Sequence, residues 1–231
     1  MKLQVVVIAC LVAAAVAAED SSKNFCFADV DKKCNSQPAK TETEHCNAKY
    51  GAFLKLKNVT ESDPVSDFVH ANLVNNFQYL MLATHFSNYE KNRPGFEKLY
   101  RDLSDEAWNG AIEMIKYTTK RGGRVFFEGR FDSSAIKMVV EQHELGSLAK
   151  AVDLQKTLAQ EAHDLHRIFS SDELYDPDAS SFLENHFLGK HSEAIRVLSG
   201  HTHDLKRMIL PGKDEVNSLS AFMFDEYLQN L

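Results

Sequence analysis

Apolar residues along this chain recur at three- and four-residue steps in four long stretches and one short one, the spacing of helices with one buried face. The first begins at Ser62-Asp63-Pro64, a cap followed by proline, and runs to about Lys91. Its stripe is Val65, Phe68, Val69, Asn72, Asn76, Tyr79, Ala83 and Phe86. The second runs from Pro94 to the Gly122-Gly123 pair, with Phe96, Leu99, Tyr100, Leu103, Ala107, Gly110, Met114 and Tyr117 on one side. The third is expected from about Ser134 to Phe169, its stripe including Leu148, Ala151, Val152, Gln155 and Ala162. The fourth follows Asp176-Pro177 and reaches about Arg207, with Glu184, Phe187, His191, Leu198 and Leu205 inward. A short fifth, Asp214 to about Gln229, is apolar over much of its surface, which implies burial against the bundle end or other subunits.

The connections order these elements. Asn92-Arg93 allows only a tight turn between the first two helices, and the third and fourth are joined as briefly. Arg124 to Ser134 is irregular and long enough to cross the length of a bundle instead of turning straight back. The chain is therefore expected to be all-α: two helical hairpins, a long crossover and a short terminal helix.

Few prolines and glycines in 231 residues argue against a loop-rich or all-β protein. Residues 1–18 read as a secretory signal peptide: Lys2, an apolar run to Val16, then small residues before Glu19. No later run is long and apolar enough to span a membrane, so the mature chain is expected to be soluble, lumenal or secreted. Its net charge of −7, slightly more negative once Lys2 is removed, and the absence of a basic cluster exclude a nucleic-acid partner. Residues 19–62 are polar and read as a cysteine-bearing arm, leaving 63–231 for the helices. Cys26, Cys34 and Cys46 all lie in that arm. An odd number in an oxidising compartment allows one internal bridge and one thiol for another chain. The alternative, a zinc site, is disfavoured because the spacings match no common finger pattern. Asn58-Val59-Thr60 is an N-glycosylation sequon.

Several short motifs resemble the ferritin family: Phe77-Gln78-Tyr79-Leu80, Arg121-Gly122-Gly123-Arg124-Val125-Phe126, Leu205-Lys206-Arg207-Met208 and Phe224-Asp225-Glu226-Tyr227. With the leader and the cysteine arm, the chain resembles the light-chain subunits of secreted insect ferritins. The resemblance implies a ferritin-like up-down-down-up four-helix bundle plus a short fifth C-terminal helix. It also implies a mixed 24-subunit shell with heavy chains, storing iron as ferric mineral in the ER and Golgi lumen and the haemolymph. For the cysteines it implies a Cys26–Cys46 bridge within the chain and a Cys34 bond to a heavy chain.

An iron-oxidising site in such a bundle takes a Glu-x-x-His pair and further carboxylates from facing helices, because iron favours carboxylate oxygen, with imidazole completing the sphere. At the positions matching the family's glutamates this chain has Asn72 and Gln155. Its Glu-x-x-His is Ala107-x-x-Gly110, and the family's glutamine is His191. Neutral amides bind weakly and Ala107 and Gly110 supply no ligand, so the subunit is expected not to be an enzyme, with His191 a hydrogen-bonded core histidine. Asp102, Asp105 and Glu106 stand at i, i+3 and i+4, close enough for mutual repulsion that a cation would relieve. The resemblance implies a mineral-nucleating role for them; the alternative is a solvated face neutralised by Lys98 or Arg101. Glu184 matches one acid of the family's iron-access pore, with His166 nearby. Two rival functions remain: a diverged iron oxidase using His191, Gln155 and Glu106, and a secreted helical binding protein without metal.

Overall fold

The computed structural model describes residues 26, 30, 46–56, 63–127, 141–209 and 214–231. Two compact units are present, 1–49 and 50–231. In the first, Cys26 and Cys46 are joined in a disulfide. Cys34 and the Asn58 sequon lie outside the described residues. The second unit contains α1 (Ala52–Lys55), α2 (Pro64–Phe86), α3 (Pro94–Lys120), α4 (Glu144–Phe169), α5 (Pro177–Leu183), α6 (Gly189–Met208) and α7 (Asp214–Gln229). A π-helical segment, Glu184–Leu188, links α5 to α6 without a break. Among the described residues there is no strand.

The starts of α2 and α5 follow cap chemistry. Asp63 accepts from the Val65 and Ser66 amides, and Asp176 from the Ala179 amide, each with proline at the next position. Two expected boundaries are corrected. The first long helix ends at Phe86 instead of Lys91 because the Asn88 side chain accepts from the Glu90 and Lys91 amides, both at 2.9 Å. That local bonding competes with the helix, and Asn92 follows with φ 46°. The third helix starts at Glu144 instead of Ser134. Residues 134–140 are outside the described set, and 141–143 are not helical. The Gln142 carbonyl lies 3.3 Å from His85 Nε2 on α2 instead of inside a helix.

Contacts between helices give the topology. Asn75 reaches the Leu154 carbonyl and Tyr79 the Ala151 carbonyl, so α2 and α4 are antiparallel. Asn76 meets Ser104 across the short turn, so α2 and α3 are antiparallel. Gln155 with His191, and His166 with Glu184, run α4 against α5–α6. With α2 up, α3 and α4 both run down and α6 runs up, the expected up-down-down-up order.

The Arg-Gly-Gly-Arg segment is a helix stop and an anchor together. Gly122 takes φ 74°, where a Cβ would be strained, and the Gly122 and Gly123 amides close on Thr119 and Thr118 carbonyls at 3.0 and 2.9 Å. Arg121, buried, donates to Asp176 and Asp178 at 2.6 Å each and to Tyr117 Oη at 2.7 Å. Its guanidinium lies 3.9 Å from the Tyr50 ring centroid, and the Ala52 amide donates to Asp176 at 3.1 Å. The α1 segment, expected in the arm, is thereby bound to the bundle. At the opposite end Asp225 of α7 accepts from the Phe96 amide at 3.0 Å. It caps α3 from another helix where Arg93, the local cap residue, offers no side-chain bond.

The apolar core divides in two. One cluster is built around Phe68, Met114, Leu165 and Leu183; the other around Tyr79, Phe96, Leu148 and Phe224. Between them lies a belt of buried polar side chains, among them Asn72, Asn76, Ser104, Gln155 and His191.

Candidate functional site

That belt is where the four long helices bring together every position singled out at the bundle's waist. Asn72 of α2, Ala107 and Gly110 of α3, Gln155 of α4 and His191 of α6 all line one small cavity of about 30 Å³. The helical period carries each residue inward, and the antiparallel registers set them at one level.

The side chains there hydrogen-bond to protein groups. Asn72 Nδ2 donates to the Phe68 carbonyl at 2.9 Å. Asn76 Nδ2 donates to Ser104 Oγ at 2.8 Å, and Ser104 Oγ to the Asn76 carbonyl at 3.1 Å, a closed exchange between α2 and α3. His191 Nδ1 lies 3.2 Å from Gln155 Oε1. Burial, then the neighbouring Lys190 charge, lowers the His191 pKa to about 4, so the imidazole is neutral at physiological pH. Tyr79 donates to the Ala151 carbonyl at 3.3 Å, and burial raises its pKa far above the usual phenol value. Gly110 supplies no side chain, and a Cβ there would meet Asn72 Oδ1 at 2.9 Å.

Glu106 is the one carboxylate on the cavity's lining. Burial raises its pKa, Lys190 opposes that rise, and Asp102 adds to it. Lys190 of α6 thus acts on Glu106 from the facing helix. Asp102 and Glu106 also line a groove of about 510 Å³ between α3 and α6, with Lys190 and Glu193 opposite and Leu103 and Leu198 among its apolar residues. Asp105 is exposed and does not line it. Among the described residues no three His, Cys, Asp or Glu side chains are grouped closely enough to hold one metal ion. At the start of the fourth long helix Glu184 does not stand alone: its Oε1 is 2.8 Å from His166 Nε2. No described helix is long and apolar enough to cross a membrane.

Reading each helix separately left out Lys190 and Glu193. They are ordinary exposed charges on α6 and become part of the groove only through its register against α3. The Asn76–Ser104 exchange and the Arg121–Asp176 anchor were hidden for the same reason. Asn76 alone carried a signal, a polar residue on an apolar stripe, but it did not name a partner.

The family description "Ferritin-like domain" matches residues 69–208. The chain is 37% identical to the ferritin light chain of Trichoplusia ni, over 99% of both chains. It is 38% identical to the ferritin light chain of Drosophila melanogaster, over 96% of this chain and 95% of that one. The crystal structure of Trichoplusia ni secreted ferritin superposes with a TM-score of 0.78 at 38% identity, covering 89% of this chain and 98% of that one.

Proposed function

Because the chain belongs to the ferritin family, we propose that it is a non-catalytic light-chain subunit of a secreted, mixed 24-subunit ferritin shell that stores iron as ferric mineral. The observation that carries this reading is the waist cavity. Where ferrous iron would require several anionic oxygens, Asn72, Ala107, Gly110, Gln155 and His191 offer two neutral amides and one neutral imidazole, and Glu106 is the one carboxylate on the lining. Oxidation then falls to a heavy-chain partner in the same shell.

The remaining roles follow from that assignment. Asp102, Asp105 and Glu106 assist mineral nucleation, with Glu193 adding a carboxylate across the groove. Glu184 sits at the iron-access pore, within hydrogen-bond distance of His166. Cys34 ties the subunit to a heavy chain, Asn58 carries a glycan, and residues 1–18 direct the chain through the ER and Golgi lumen to the haemolymph. Support for secretion comes from the leader pattern, the Cys26–Cys46 disulfide and the likeness to a secreted ferritin.

Native mass analysis of the purified particle, with and without reductant, tests assembly: a shell of two chain types with a reducible link is expected, and a monomer or dimer refutes the reading. Oxygen uptake by this chain alone, with ferrous ion added, tests catalysis. Uptake no faster than buffer is expected, and rapid turnover would favour the diverged oxidase built on His191, Gln155 and Glu106.

A further inference from the structure

Besides the Glu106 carboxylate, the waist cavity is lined by two side chains that each have an acceptor to offer, His191 and Asn72. Gln155 Oε1 can only accept, so its 3.2 Å contact fixes the His191 proton on Nδ1. Nε2 is then a bare lone pair, buried and without a protein partner, on a residue only 9% exposed. Asn72 uses its amide nitrogen on the Phe68 carbonyl. Its Oδ1 is turned toward α3, 2.9 Å from where a Gly110 Cβ would stand. Both side chains line the same cavity of about 30 Å³, above the roughly 10–15 Å³ that one water needs. Buried polar atoms left unmatched are costly, and a polar cavity of this size is filled by solvent.

We propose that this cavity is a hydration site: one bound water donates one hydrogen to His191 Nε2 and the other to Asn72 Oδ1. The resulting chain Asn72–water–His191–Gln155 joins α2, α6 and α4 through hydrogen bonds at the level where metal would otherwise join them. It also explains why Gly110 suits this position, since its missing side chain leaves the space the water occupies. With its lone pair engaged, the imidazole does not act as a one-ligand trap for passing divalent metal. The inference concerns the interior of one chain and stands whether or not the chain assembles or stores iron.

The test is a crystal structure of the assembled protein at atomic resolution, from crystals soaked in Zn²⁺ and measured at the zinc absorption edge. The expected result is one oxygen-sized peak within about 2.7–3.2 Å of both His191 Nε2 and Asn72 Oδ1, without anomalous signal. An anomalous peak at Nε2, an empty cavity, or Lys190 Nζ lying in it overturns the proposal. Asn72→Leu keeps the bulk and removes the acceptor, so the peak should vanish. Gly110→Ala, whose methyl enters the same space, serves where that variant fails to fold. A peak retained in either variant refutes the bridge.

Discussion

Arg121→Met tests the buried ion pair at the arm end of the bundle, together with the Tyr117 and Tyr50 contacts of the same guanidinium. Arg121 and Asp176 are each 3% exposed at the side chain and meet at 2.6 Å. Methionine fills much of the volume but leaves the Asp176 carboxylate buried without its counter-charge. Removing one partner of such a pair costs about 3–5 kcal/mol. The Ala52 and Ala179 amides, both at 3.1 Å, still donate to Asp176 and hold the loss toward the lower end. The second acid, Asp178, is 60% exposed and adds only about 0–1 kcal/mol. For a bundle of this size each kcal/mol moves Tm by about 2–4 °C, so a loss of about 3–4 kcal/mol should show in calorimetry as a fall of roughly 6–16 °C. Protein concentration must be matched, because association shifts apparent stability. Arg167→Gln, at an exposed pair with Asp164, is the control and should cost about 0–1 kcal/mol. The sharper check is a reversal of sign. Asp176→Asn should destabilise the native chain but stabilise Arg121→Met, since it removes the stranded charge. A loss no larger than the control, or no reversal, would refute the ion-pair account.

Four further outcomes are expected. Burial alone would raise the Asp176 carboxyl, but Arg121 and the Ala179 and Ala52 amides outweigh it and hold the pKa below its usual value. Its stabilising contribution is therefore complete above about pH 4 and lost as pH falls through the lowered value; acid-unfolding curves should fall more steeply for the native chain than for Asp176→Asn. In Gly95→Ala the new Cβ would lie 2.1 Å from the Asp225 carbonyl oxygen, so α7 should lift from α3, read as a lower Tm and easier proteolytic release of the C-terminal segment. The triple change Asp102→Asn, Asp105→Asn, Glu106→Gln should slow ferric deposition in mixed shells while leaving the rate of ferrous oxidation unchanged; unaltered deposition removes the nucleation role. Restoring acids and imidazole with Asn72→Glu, Ala107→Glu, Gly110→His and Gln155→Glu should confer measurable oxygen uptake on this chain alone, and no gain in a folded variant would count against the emptied-site argument.

What could be read from the chain and what could not divide along a physical line. Period, caps and breakers act within a few residues, so Asp63-Pro64, Asp176-Pro177 and Gly122-Gly123 marked the helix starts and the stop correctly. The end of α2 escaped because Asn88 caps the turn with its side chain, while the apolar stripe gives no sign of where the backbone leaves the helix. The waist residues were legible for a different reason. Each lies on an inward stripe at a position that the family resemblance marks, so the type of residue suggested the chemistry before any distance was known.

Partnership across helices is the part that sequence does not carry. Glu106 faces Lys190 from a helix some eighty positions later in the chain, and Asp225 caps a helix that begins long before it. The same limit shapes the functional argument. A subunit with amides and an imidazole at the waist must satisfy those polar groups, because the surrounding core is apolar on both sides. Asn76 with Ser104, Asn72 with the Phe68 carbonyl and His191 with Gln155 do so with neutral bonds. A metal-loaded waist would need carboxylates that repel one another in the absence of the ion. The neutral belt removes that dependence, so stability of this subunit should not change with iron supply. Equal Tm values for iron-loaded and chelator-treated particles made of this chain alone would support that separation of structure from cargo, and a marked rise on loading would break it.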